Sequence, residues 1–497
     1  MFNSKFIDLL KTFSQEEIKE FERFIDSPFF NRDKTISQSY KFIKKFYPSF
    51  DNSKFSKEKF FSHLYPGKEY NDSRVRNILS DLLKHGQDYI SYKLYKSKPF
   101  FENQANLEAL DVRKLDVLFD KKLAEAYSII NVSEQDPDEI YLYRKKLEDL
   151  KYEFFFKRSK EEKGAQTTEK RGENLVLYSI LRMLKLKILL YTNEHNFNIK
   201  SDAGLLNAAF ENIDLNSLLD YVEKNLPEEY PVLAVHYYFY IAQTDFSKTD
   251  YYFKAEKIFT RNIVKFSLKE QSEMLHAFAS LCIDYIHLGR LEFNKHLLDV
   301  YKKMDKYQLF SAPGKPQIIT LLGFRNMVLI AKEEKDYDWL DSFLENNIDK
   351  IPQESRENMR DFSYALLEYE KGDYAKALEF ISKVKYEFFY FRYDVKNLLL
   401  KCFYELDMFE QSLYLITNYK LFLKQNKNIS KEAKRIYSLH IKYIEKVTKL
   451  KIKFDEYEAQ KVLKEMQTID PWTVKWPHEK LTELIKKNKK VKRQLSA

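Results

Sequence analysis

The sequence predicts an all-α protein, and three observations carry that expectation. Only 9 Gly and 12 Pro occur in 497 residues, so tight turns, bulges and phosphate-cradling loops have little raw material. Aromatic residues make up 16% of the chain and charged residues 32%, a mixture suited to helices with a thick apolar face and a charged outer one. Apolar residues recur at helical spacing, as in Ile18, Phe21, Phe24 and Ile25.

Residues 1–95 read as four or five short helices forming an N-terminal domain. Ser14 followed by Glu17 is a capping box, in which each side chain satisfies a backbone donor at the helix start. The helix it opens ends before Pro28, because the proline ring disfavours the helical region for Ser27. In "DSPFFN" the expectation is that Phe29 and Phe30 plug the helix–helix corner as buried side chains. Asn31 then caps the next helix, whose apolar face is Ile36, Tyr40, Ile43 and Phe46–Tyr47. A further helix pair, 56–65 and 72–92, is joined by "PGKEYN". Its second helix opens with "NDSRVRN", placing Arg74, Arg76 and Asn77 in the first turns. In a helix-turn-helix those side chains would reach phosphates and base edges, although this connection exceeds the usual turn of about 3–4 residues.

Residues 96–230 form a helical middle region. Asp136 caps a helix with Pro137 at its first position. "SKEEKGAQTTEKRGE", 159–173, has no apolar residue larger than Ala and reads as a mobile surface loop. The most apolar stretch, Leu175 to Tyr191, is broken by Arg182, Lys185 and Lys187 and reads as a buried helix, not a membrane span.

Residues 231–425 carry an internal repeat. "KGDYAKALEFI" and "ELDMFEQSLYLI" each set an aromatic, a residue three on and an apolar residue four after that: Tyr374, Ala377, Ile381 and Phe409, Ser412, Ile416. Related trios stand at Tyr252, Ala255, Phe259, at Leu291, Asn294, Leu298 and at Tyr337, Leu340, Leu344. Successive anchors lie 39, 46, 37 and 35 residues apart. This spacing resembles tetratricopeptide repeats, paired helices of about 34 residues. The small residue of that family's first helix is matched only by Cys282 and Ala365, its terminal proline only by Pro352, and Leu340 stands where a small residue belongs. The resemblance implies a right-handed αα-hairpin solenoid of degenerate repeats. It implies a concave groove lined from each first helix, and Arg325, Lys332, Asn397, Lys401, Tyr404 and His276 fall at the lining offsets. An amide and an ammonium on adjacent turns suit a carboxylate of a peptide partner. The echo "KYEFF" at 151–155 and 385–389 reads either as equivalent packing or as compositional chance.

Residues 426–485 are expected to cap the array, with Trp472 and Trp476 packing the last helix. The basic tail, 486–497, is expected to be disordered. The formal net charge of +9 divides into +4 from residues 1–95, +6 from Lys486 to Arg493 and −1 from the rest. A nucleic-acid channel through the middle is thereby disfavoured, whereas either end could meet an anionic partner.

No phosphate-binding glycine loop, nucleophile elbow or Cys-x-x-Cys pair occurs, so no cofactor, metal or catalytic residue is expected. Glu273 and His276 lack the second Glu-x-x-His pair of a di-iron site. Two cysteines, far apart, and no export signal at the N-terminus suggest a reducing, cytoplasmic setting. The function expected is a non-catalytic scaffold binding a protein or peptide partner in the groove. The alternative is a nucleic-acid-binding regulator that uses Arg74, Arg76 and Asn77 with the repeats as a ligand sensor.

Overall fold

In the computed structural model, residues 4–50, 55–131, 135–197, 199, 201–311, 316–385, 389–425, 431–469 and 471–495 are described. Among them every regular element is a helix, and no strand occurs. The chain divides into two compact units, Met1–Tyr237 and Tyr238–Ala497.

The first unit opens with α1 (Lys5–Leu10), α2 (Gln15–Asp26), α3 (Lys34–Lys44), α4 (Lys57–Leu64) and α5 (Asp72–Ser97). The capping box at α2 is formed: Ser14 Oγ accepts from Glu17 N at 3.1 Å, and Glu17 Oε2 accepts from Ser14 N at 2.8 Å. Phe13, Phe21, Phe24, Tyr40 and Tyr89 meet in one core. There the Tyr40 hydroxyl donates to the Ile18 carbonyl at 2.7 Å, so the buried phenol keeps a partner. Gly86 lets α1 approach α5: a Cβ there would lie 2.7 Å from Leu9 Cδ2.

The "DSPFFN" corner departs from expectation. Phe29 is 86% exposed and Phe30 36%. Phe24 fills the interior; Phe30 stacks on its outer side with ring centroids 4.1 Å apart, and Phe29 meets Phe30 edge-on at 5.0 Å. Polar bonds hold the corner instead of a plug. Asn31 Nδ2 donates to the carbonyls of Ile25 and Asp33, both at 3.0 Å. Asn31 is therefore a corner tie, and Asp33 is the residue that caps α3, accepting from Thr35 N at 2.7 Å.

The unit continues with α6 (Pro99–Val112), α7 (Asp116–Asn131), α8 (Pro137–Phe156), α9 (Glu161–Ala165), α10 (Thr168–Phe197), α11 (Gly204–Glu211) and α12 (Leu215–Asn225). Pro137 is the first residue of α8 and Asp136 its N-cap, though without a side-chain capping bond. The stretch 159–173, expected as a loop, is mostly helical, comprising α9 and the start of α10. Contacts too local for apolar periodicity to register hold it. Gly164 is buried against Tyr152, while Arg171 pairs with Asp149 at 2.8 Å and lies 4.4 Å over the Tyr152 ring. The charges inside the apolar stretch of α10 are engaged: Arg182 and Lys185 pair with the buried Asp138, and Lys187 donates to Asn207. No helix among the described residues is long and apolar enough to cross a membrane.

The division between units falls within α13 (Tyr230–Thr244). The second unit then runs α14 (Thr249–Arg261), α15 (Leu268–His287), α16 (Phe293–Tyr307), α17 (Leu321–Glu333), α18 (Tyr337–Asn347), α19 (Arg356–Lys371), α20 (Tyr374–Lys383), α21 (Phe389–Glu405) and α22 (Phe409–Gln425). It ends with α23 (Lys431–Ile452), α24 (Glu456–Met466) and α25 (Pro471–Leu495). From α15 to α23 consecutive helices pack on each other, and the first helices α17, α19 and α21 also touch in succession.

The corners inside four pairs share one construction. Gly289, Lys335, Gly372 and Asp407 adopt left-handed φ values of 84°, 58°, 85° and 57°. The following residue donates its N–H five residues back: Arg290 to Tyr285, Asp336 to Ala331, Asp373 to Glu368 and Met408 to Phe403. This is the helix-ending motif in which a left-handed residue turns the chain so that an orphan carbonyl finds a donor. Each left-handed residue stands two before a repeat anchor. The two inner positions of every trio are buried, while the anchor varies: Tyr252 is fully covered and Leu291 is 46% exposed.

Trp476 is buried in the closing core, whereas the side chain of Trp472 lies outside the described residues, as does most of the second "KYEFF". The basic tail, expected without regular structure, continues α25 as helix to Leu495. Its lysines crowd a helix C-terminus, where positive charge complements the backbone dipole.

Candidate functional site

Three first helices end on the same side of the second unit and bring their last turns together. Lys332 and Glu333 close α17, Tyr369 and Glu370 lie near the end of α19, and Lys401 sits one turn before the end of α21. Tyr374 opens α20, and His440 comes from α23. The wall opposite is one face of α25, where Lys475, Trp476, Glu479 and Lys480 recur at helical spacing. Together these residues line a cavity of about 450 Å³.

The carboxylates around it are mostly committed. Glu333 pairs with Lys475 and with Lys332 at 3.6 Å. Glu370 lies 3.7 Å from Lys332. Glu405, beneath the lining, pairs with Lys480 at 3.0 Å and accepts from the Tyr369 hydroxyl at 3.4 Å. That hydroxyl in turn accepts from Trp476 Nε1 at 2.9 Å, and the indole meets the Tyr404 ring edge-on at 5.1 Å. These bonds fix α25 against α19 and α21.

Lys401 is the exception. Among the described residues no carboxylate lies within ion-pair distance of its ammonium, and its one specific contact is the Trp476 ring at 5.8 Å. Burial pushes its pKa down to about 8, helped by the charge of Lys332 and opposed by Glu370, Glu333 and Glu479. His440 is pushed down to about 4, again chiefly by burial. The neutral ring donates from Nδ1 to the Thr473 carbonyl at 2.8 Å, which leaves Nε2 as the acceptor nitrogen. Glu333 moves the other way: burial favours its neutral form, but Lys475 and Lys332 outweigh this and hold the carboxyl below its ordinary range. With Lys335 at the edge of the lining, five lysines against three glutamates leave it positive. An anion would find there one ammonium without a carboxylate and aromatic walls on which an apolar group could rest.

Of the groove residues expected from sequence, Lys332 and Lys401 reach this cavity. Arg325 does not line it, because it forms a fork onto Asp394, with Nη2 2.8 Å from Oδ1. Asp394 stands on α21 one turn before Asn397, the residue at the offset that matches Arg325, so the two first helices pair with each other there. Asn397 Oδ1 accepts from the Tyr419 hydroxyl at 3.3 Å. Tyr404 is buried beneath Lys451, whose ammonium lies 4.3 Å from its ring. His276 Nδ1 is bonded to the Ser272 carbonyl at 2.7 Å. No sequence motif singles out His440, Tyr369, Lys475 or Lys480; the i, i+1, i+4, i+5 spacing of residues 475–480 is the signal for a shared face.

In the first unit, Arg76 pairs with Asp72 at 3.0 Å and the Arg74 guanidinium lies 4.3 Å over the Tyr65 ring, while Asn77 is exposed. No group of three or more His, Cys, Asp or Glu among the described residues is placed to hold a metal ion. Cys282 and Cys402 are buried free thiols, each pushed up to about 12 mainly by burial. Compared with known proteins, the chain matches no family model, no curated protein and no solved structure.

Proposed function

We propose that the protein is a non-catalytic interaction scaffold in which the helix pairs of the second unit form a tetratricopeptide-like solenoid. Its cavity around Lys401 receives an acidic or carboxylate-bearing segment of a protein partner. The observation that carries the reading is the Lys401 ammonium, which lies without a carboxylate at ion-pair distance among the described residues, while Glu333, Glu370 and Glu405 are held by other lysines. Burying a charge is costly unless it is paired, and a partner's anion would supply the pair. The corner geometry repeated two residues before four of the five anchors supports the solenoid part of the reading.

The test is a panel of peptides ending in a free carboxylate or an amide, titrated by fluorescence anisotropy. Selected carboxylate peptides should bind at least about tenfold more weakly to Lys401→Gln, a change of about 1.4 kcal/mol. Equal affinity for both proteins would remove the cavity from the function. A second reading, nucleic-acid binding through α5, rests on the exposure of Arg76 and Asn77 at its start. It requires salt-dependent duplex binding that Arg74→Glu/Arg76→Glu abolishes and Lys401→Gln leaves intact.

A further inference from the structure

We propose that a second cavity, within the first unit, binds a primary ammonium carried on a short apolar chain. The cavity measures about 240 Å³ and lies among α7, α8, α10 and the segment 226–229. Glu148, on its wall, is only 4% exposed. Its Oε1 accepts from the Tyr127 hydroxyl at 2.6 Å, but Oε2 has no hydrogen-bond partner in the protein. Protonation does not resolve this: the carboxylate leaves a buried acceptor unmet, and the acid leaves a buried donor or acceptor unmet.

Neither cation of the lining, Arg144 or Lys170, pairs with Glu148 among the described residues. Arg144 is held by Glu229 at 2.8 Å, and Glu229 accepts at its other oxygen from the Tyr141 hydroxyl at 2.9 Å. Glu173 lines the same space and makes no ion pair among the described residues. Asn174 donates from Nδ2 to the Lys170 carbonyl at 2.7 Å, which leaves its Oδ1 as an acceptor. Glu148, Glu173 and Glu229 against Arg144 and Lys170 give the lining a formal charge of −1, which one monocation balances.

The acceptors argue for an organic cation. A metal is disfavoured because no three-ligand group is in place among the described residues. An ammonium brings three N–H donors, matching Glu148, Glu173 and Asn174, while Leu177 and Leu226 supply an apolar wall for the attached chain.

The test is isothermal titration of the full chain with n-butylammonium chloride, with butan-1-ol as the uncharged counterpart and with Nα-acetyl-lysine methylamide. Butylammonium should bind with a Kd on the order of 1 mM or tighter and butanol should not. Glu148→Gln and Glu173→Gln should each weaken binding about tenfold, and Lys401→Gln should leave it unchanged. Glu173 is half-buried, so its variant keeps the test valid if Glu148→Gln fails to fold, as followed by circular dichroism. Tighter binding of the lysine derivative would assign the site to a lysine side chain of a partner, and weaker binding to a free amine. No binding of either ammonium, equal binding of the alcohol, or indifference to both substitutions would overturn the proposal.

Discussion

Burial holds the Lys401 amine near 8 where an ordinary lysine titrates near 10.5. The folded chain therefore binds fewer protons than the unfolded chain between those values, and stability rises with pH across that window. An anion that needs the ammonium behaves oppositely. Its affinity should be flat below about pH 8 and fall up to about tenfold per unit above, a slope absent in Lys401→Gln and readable by titration at several pH values. At Arg325, removing one partner of the fork to Asp394 leaves the other charge half-desolvated. Arg325→Ala should cost about 3 kcal/mol in urea unfolding, and Arg325→Leu/Asp394→Leu should recover much of it. At the "DSPFFN" corner, Phe29→Ala should shift stability by less than about 0.5 kcal/mol, while Phe24→Ala should cost about 3–5 kcal/mol. Lys332 and Lys401, two of the positions that the repeat resemblance implies for a groove, line the cavity. The partner of Arg325 inside the protein is not legible in the sequence, because pairing across 69 residues depends on which helices adjoin.

The helix-pair corners are where sequence and geometry correspond most closely. The repeat trios were visible as small and apolar residues at helical spacing, and those inner positions are the buried ones. The left-handed turn preceding four of them was only half visible, since glycine marks Gly289 and Gly372 but Lys335 and Asp407 occupy the same conformation without it. Lys335→Gly should therefore stabilise the chain and Gly372→Ala destabilise it, each by about 1 kcal/mol, as read from urea midpoints. The stretch 159–173 shows the converse failure. Arg171 and Gly164 make helix there through contacts with Tyr152 and Asp149, and polar contacts of that kind leave no periodic trace.

Across the molecule, composition sufficed for the helical class, because a chain so poor in glycine and proline has little material for the tight turns and bulges that sheets require. The arrangement of the closing helices is less legible, since α25 meets α19 and α21 through residues far apart in the chain, as Trp476 meets Tyr369 across 107 positions. Each unit also carries a buried neutral histidine. His236 in the first and His440 in the second are both pushed down to about 4, chiefly by burial. Their folded values lie below the unfolded one, so stability should fall as pH drops from about 6.5 towards 4, by up to about 3 kcal/mol for each. Following both units by hydrogen exchange at several pH values would check this, with His236→Phe and His440→Phe each flattening the response of its own unit.

The unpaired amine of Lys401 has one more consequence, which concerns reactivity. At pH 8 about half of this residue is neutral, whereas an ordinary lysine is well under about 1% neutral. A neutral amine is a nucleophile, so brief exposure to a small acylating reagent at that pH should modify Lys401 ahead of other lysines. Whatever anion fills the cavity should protect it, and footprinting by mass spectrometry would then report occupancy for any candidate partner without a label on the partner itself.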